Sequence, residues 1–140
     1  LVPPERVLVL TNAAHVPLVR EQLPELPDGH VIGEPIRRDT AAAVGLAAVL
    51  VRRRFGNRVI LTLTADQLIE PTELFQRNLL SAAGQVAAND VFYTFGIRPA
   101  YPATAYGYLE TGKPVAEEKG IEHFELQRFQ DKPDLQTARQ

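Results

Sequence analysis

The 140 residues include no cysteine and no methionine. Without cysteine there is no disulfide, no thiolate metal site and no cysteine nucleophile. Methionine is missing even at position 1: the chain opens on Leu1-Val2-Pro3-Pro4, which reads as the middle of a loop, and Gln140 falls in what reads as a helix. A piece of a longer polypeptide is therefore expected. No apolar run approaches the roughly 20 residues of a spanning helix, and no basic, apolar, small-residue leader stands at the start, which predicts a cytoplasmic protein with no membrane contact. Charge of one sign is scarce as well. Fifteen basic against 17 acidic side chains, net −2, predict no nucleic-acid partner, so any phosphate must be met by a local site. The three histidines have no metal or triad partner at a recognisable spacing. His15 and His30 border short strands and His123 lies in a charged loop, so all three are expected to be structural or exposed.

What is present is a 45% apolar composition, enough for one globular domain with a core. Residues 6–11 (RVLVLT) form a β-rich run, Asn12 can cap the helix after it, and Leu18, Val19 and Leu23 recur at helical spacing. Pro24, Pro27, Asp28 and Gly29 break that helix before a short strand over residues 30–33. Asp39 is placed to N-cap a helix over residues 40–55, whose first part (AAAVGLAAVLV) is apolar all round and so predicted buried. Arg52, Arg53 and Arg54 suit its negative end, as a solvated terminus, and Gly56 can close it. Pro71 suits a first helical turn, and Phe75, Leu79, Ala82, Ala83 and Val86 mark one face of a third helix that Asn89-Asp90 ends. Residues 91–97 (VFYTFGI) read as another central strand. Strand and helix thus alternate as in parallel α/β sheets. Beyond Arg98 the alternation stops: Pro99, Pro102, Gly107 and Gly112 punctuate a turn-rich region, with candidate strands at 108–110 and 124–130. Pro133 and Asp134 then begin a terminal helix.

The chain is organised around residues 59–69, VILTLTADQLI. An apolar, β-branched run, 59–63, ends in Thr64, Ala65 and the carboxylate of Asp66, which reads as a buried strand delivering one acid. Ligands in open α/β sheets gather beyond the carboxyl ends of the strands, so Asp66 is placed either to hold a metal or hydroxyl or simply to cap a turn.

Four segments carry a resemblance: EPIRRDTAAAV at 34–44, LTADQLI at 63–69, FGIRPAYPATAYGYLETG at 95–112 and RFQDKPDLQTA at 128–138. In this order and spacing they resemble the bacterial-type mannose-1-phosphate guanylyltransferases of the sugar nucleotidyltransferase family. The resemblance implies a Rossmann-like α/β fold with a mostly parallel central sheet flanked by helices, incomplete at both ends, so that residues 1–140 are part of a single catalytic domain. It implies the reaction of GTP with mannose 1-phosphate to give GDP-mannose and pyrophosphate, Mg²⁺ as cofactor, and direct displacement at the α-phosphorus. Alignment and charge neutralisation carry such a transfer, and the chain offers no obvious covalent nucleophile.

By the same resemblance Asp66 is a catalytic Mg²⁺ ligand, a hard oxygen donor, although Thr64 stands where the family has proline and Gln67 where it has histidine. Glu34, Arg38, Asp39, Thr40 and Ala65 match the nucleotide side, where a helix N-terminus can meet base, ribose or phosphate. Asp39 stands where asparagine is commoner, and its role as simple cap remains open beside ligand contact. Residues 104–112 resemble the sugar loop. Gly107 would let backbone approach the hexose; of Tyr106 and Tyr108, one would line the pocket while the other packs inside; and Glu110 is either a hydroxyl acceptor or a strand-end charge. In Asp131-Lys132-Pro133, similar to the family's glutamate, lysine, proline signature, Lys132 is the catalytic partner of the sugar phosphate and Asp131 a mannose contact.

The family's glycine-rich loop and a second metal acid are expected outside this chain. The isolated 140 residues are therefore expected to show little or no catalysis, and an unpaired sheet edge to favour self-association. A nucleotidyltransferase for another nucleotide and sugar, and a non-catalytic binding homologue, are the alternative readings.

Overall fold

A computed structural model describes residues 2–36 and 38–139. The expected helix at Gln140, the opening Leu1, and Arg37 of the first family-like segment lie outside the described residues. The chain forms two compact units, Leu1–Leu68 and Ile69–Gln140.

The first unit begins as its sequence predicts. Strand β1 (Val9–Asn12) pairs in parallel with β2 (Val31–Glu34), Val9 opposite Val31 and Asn12 opposite Glu34. The Asn12 carboxamide accepts a 2.9 Å hydrogen bond from the Ala14 amide, capping a single 3-10 turn, Ala13–His15, that leads into helix α1 (Val16–Gln22). The turn and α1 pack on β2. A Cβ on Gly33 would lie 2.8 Å from the Ala13 Cα and 3.0 Å from a Val16 methyl, so only glycine lets the crossing segment come so close. His30 Nδ1 lies 2.9 Å from the Val7 carbonyl oxygen, which makes this histidine structural, as expected.

Helix α2 spans Asp39–Phe55 and closes at Gly56, at φ 78°. Two expectations fail here. Asp39 is the first helical residue and makes no capping hydrogen bond, and Arg38 holds the cap position. A capping side chain reaches its amide from an extended backbone, whereas Asp39 sits at φ 60°. The apolar stretch of α2 is also not buried, with Leu46 and Val49 exposed. Periodicity tells which faces are apolar, but burial needs a neighbour that covers each of them.

Residues 59–63 and 91–97 overturn the largest expectation. Neither forms a helix or a strand, neither has a strand beside it within its own unit, and Val59, Leu61, Leu63, Phe92 and Ile97 face solvent. β-branched residues favour an extended backbone; a strand also requires a hydrogen-bonding neighbour. The described residues thus contain two separate two-stranded sheets, one parallel and one antiparallel, in place of a mostly parallel central sheet.

The second unit is helix α3 (Thr72–Ala88) and a long hairpin of β3 (Tyr108–Glu118) and β4 (Ile121–Gln130). The predicted face of α3 is observed, with Leu79 and Ala82 buried and Phe75, Ala83 and Val86 half-buried. The hairpin extends well past the predicted short strands. Gly112, which reads as a breaker, lies inside β3 together with Pro114, and the register slips on either side of Pro114. A bulge absorbs the proline's missing donor. Lys119 and Gly120, at φ 53° and 80°, make the tight turn. The expected terminal helix is a single 3-10 turn, Thr137–Arg139, whose Thr137 amide donates to Asp134 Oδ1 at 2.8 Å. That bond holds the exposed Asp134 carboxyl below its usual pKa.

Candidate functional site

The hairpin's register builds one end of the candidate site. Tyr108 pairs with Gln130 and Leu109 with Phe129, so Gly107, just before β3, and Asp131-Lys132, just after β4, flank the same end of one antiparallel pair. The two family-like segments that the sequence separates are neighbours here. Tyr106 is exposed, while Tyr108 is half-buried and its hydroxyl accepts a 2.8 Å hydrogen bond from the Ala103 amide. Of the two, Tyr106 has the side chain open to solvent and Tyr108 the one tied to its own loop. Glu110 is exposed opposite Arg128, and Asp131 is exposed. Lys132 is exposed at φ 36°, between β4 and a buried Pro133. A left-handed conformation in a residue preceding proline is strained, and such strain concentrates where a side chain must be aimed.

In the first unit, Glu34 ends β2, and the chain passes through Arg38 to Asp39 and Thr40 at the start of α2, all but Glu34 exposed. Glu34 thus stands at the carboxyl end of the β1–β2 pair, the end at which parallel sheets take ligands. Ala65 and Asp66 form an exposed turn. A carboxylate in water is a competent hard donor, and Mg²⁺ typically takes only one or two from protein, with phosphate oxygens and water completing its shell. Asp66 fits that requirement as a single ligand. Among the described residues no group of three or more His, Asp or Glu side chains could hold a metal by itself.

A side-chain network that the sequence reading missed lies in the second unit. His123 is in β4, not a loop, and only 3% exposed. Its Nε2 lies 2.9 Å from Ser81 Oγ on α3, its Nδ1 is hydrogen-bonded to the Tyr93 hydroxyl, and Ser81 donates to Glu118 Oε2 at 3.0 Å. The carboxylate can only accept, which fixes the other protons for a neutral imidazole: Nε2–H donates to Ser81 and Nδ1 accepts from Tyr93. Burial pushes the Tyr93 hydroxyl above the usual tyrosine pKa. The acid touches the serine and not the imidazole, so this is no hydrolytic triad. It is a structural lock joining α3, both strands of the hairpin and residue 93. The only trace of it in sequence is the alternation of Ile121 and His123 on one strand face. Beside it a cavity of about 330 Å³ is lined by Tyr93, Phe95, Leu109, Thr111, His123 and Leu126 among others.

Residues 3–140 match the family model described as nucleotidyl transferase. The chain belongs to that family. Three mannose-1-phosphate guanylyltransferases illustrate its similarity to individual nucleotidyl transferases: one from Sinorhizobium fredii (strain NBRC 101917 / NGR234), 39% identical over 134 residues; one from Salmonella montevideo, 38% over 135; and one from Escherichia coli (strain K12), 36% over 138. The matches take in 94–96% of this nucleotidyl transferase chain and 25–29% of those proteins, so it spans little more than a quarter of their length. Among the described residues no helix is long and apolar enough to cross a membrane.

Proposed function

We propose that this chain supplies the substrate-binding part of a nucleotidyltransferase that converts GTP and mannose 1-phosphate to GDP-mannose and pyrophosphate. The observation that carries this reading is the shared end of the hairpin, where Gly107 and Tyr106 stand beside Asp131 and Lys132. An ammonium with three donors suits a phosphate monoester, and the carboxylates of Asp131 and Glu110 accept from hexose hydroxyls. The names of the relatives supply the nucleotide and the sugar.

Glu34, Arg38, Asp39, Thr40 and Ala65 form the nucleotide side, with the amides of the α2 N-terminus facing negative charge. In the reaction an oxygen of the sugar phosphate attacks the α-phosphorus of GTP, the α–β bridging bond breaks, and its electron pair leaves with pyrophosphate. Lys132 holds the attacking phosphate and neutralises part of its charge, which lowers the cost of bringing two anions together. Mg²⁺, held by Asp66, would supply charge neutralisation on the phosphate oxygens. In this reading residues 1–140 are part of one Rossmann-like catalytic domain, in the cytoplasm, and the unpaired edges of the two-stranded sheets favour association with further copies.

The test is a titration of the chain with mannose 1-phosphate and with GTP, followed by nuclear magnetic resonance. Lys132→Ala should weaken mannose 1-phosphate by tenfold or more, as the loss of a charge-assisted contact of about 1.5–3 kcal/mol requires, and leave GTP unaffected. Equal loss of both ligands, or of neither, refutes the assignment. Competition by ATP, UTP and dTTP checks the choice of base.

A further inference from the structure

Gly107 is a glycine for want of space. Its φ is not positive, unlike Gly29, Gly56 and Gly120, so the backbone there would accept any side chain. What excludes one is Phe129: a Cβ built on Gly107 would lie 2.7 Å from Cε2 of that ring, 3.4 Å from Cε1, and nearer still to Cζ. The far end of the ring lies where that Cβ would be. Phe129 is also no core residue, being 59% exposed although large and apolar. It stands opposite Leu109 in the hairpin, one residue before Gln130, and three before Lys132.

We propose that Phe129 is a positioning residue for the loop 103–107: its ring edge, seated on Gly107, fixes where that backbone lies relative to Asp131 and Lys132. The loop has one other tie among the observed hydrogen bonds, from the Ala103 amide to the Tyr108 hydroxyl. The hydrogen bond holds one end of the loop and the ring holds the other. Taking Gly107 as the backbone that meets the hexose rests on the function proposed above; the seating of the ring does not.

The physical logic makes the two residues interdependent. With phenylalanine at 129, alanine at 107 must drive the ring outward, and the exposed side of Phe129 leaves it somewhere to go. The loop then loses its seat without the unit unfolding. With a small residue at 129, alanine at 107 meets nothing. Residues that share a contact in this way give non-additive effects.

The experiment compares the natural chain with F129L, F129A, G107A and G107A/F129A. The first readout is the Gly107 Hα resonance, which the ring should shift away from an ordinary position in the natural chain, and leave at an ordinary position in F129L and F129A. The second is affinity for mannose 1-phosphate. F129A and G107A should each weaken binding by about tenfold or more, and G107A/F129A should be no weaker than F129A. GTP affinity should not move.

An unshifted Gly107 resonance in the natural chain overturns the proposal, as does undiminished binding of mannose 1-phosphate by F129A or independent, additive effects of the two substitutions. If the natural chain binds no mannose 1-phosphate, the proposed function fails. The seating of Phe129 is then decided separately, by the resonance and by whether the melting-temperature changes of the two single substitutions are non-additive.

Discussion

Replacing His123 by alanine should cost the second unit more than any other single side chain outside its apolar core. That core is small: among the described residues of the unit, only Leu79, Ala82 and Pro133 are buried apolar side chains. His123 contributes two hydrogen bonds, each about 1 kcal/mol net, and an edge contact of its ring with Tyr93, centroids 5.5 Å apart at 72°, of about 0.5–1.5 kcal/mol. Part of this is recovered, because half-buried Tyr93 can turn to water and Ser81 keeps Glu118 as acceptor. The balance is a loss of about 2–3 kcal/mol, a large share of the roughly 5–15 kcal/mol that holds a domain together. For a unit of this size, about 1 kcal/mol moves the melting temperature by roughly 4–8 °C, so a fall on the order of 10 °C is expected by circular dichroism. Ser81→Ala should lose less, about 1–2 kcal/mol, since it strands one buried imidazole N–H. The double substitution should fall short of the sum, because both remove the same bond. A His123→Ala protein within about 0.5 kcal/mol of the natural chain, the scale of an ordinary surface substitution, would refute the reasoning, as would strict additivity with Ser81→Ala.

Gly33→Ala should destabilise the first unit by about 1–3 kcal/mol in urea unfolding, because the new methyl meets the Ala13 backbone at 2.8 Å and backbone cannot swing aside; an unchanged midpoint would show that the turn can move. Tyr93 should ionise above the ordinary tyrosine value of about 10. Since folding favours its neutral form, its contribution is complete below that pH and is lost as pH rises through the folded-state value. Phenolate absorbance at high pH should show one late tyrosine that Tyr93→Phe removes. Asp66→Asn should abolish the dependence of GTP affinity on Mg²⁺, so that chelation weakens binding to the natural chain and leaves the variant unaffected. Equal sensitivity in both would take the metal away from Asp66.

Local signals were sufficient at several places where the deciding interaction lies within a few residues, though not at Asp39, whose positive φ takes it out of the capping geometry. The cap at Asn12, the break from Pro24 to Gly29, the stop at Gly56 and the apolar face of α3 are each written in neighbouring residues, and each is found in the structure. The candidate site was legible to the extent that its motifs were. The loop around Gly107 and the Asp131-Lys132-Pro133 signature were both singled out, and the hairpin register sets them side by side. Their support was not legible. The ring of Phe129 over Gly107 and the link from Tyr93 through His123 and Ser81 to Glu118 join residues about 20 to 40 positions apart. No spacing in a single sequence records such contacts.

By itself the sequence determined the helices over 39–55 and 72–88, the first strand pair with its intervening turn, and the chemistry available at the loop ends, because those properties depend largely on side chains a few bonds apart. Only the tertiary structure decided that residues 59–63 and 91–97 stay unpaired within their units, that Gly112 and Pro114 ride inside a long hairpin, and that His123 is buried. Strand pairing and burial are properties of two surfaces meeting, and one stretch of chain specifies only its own.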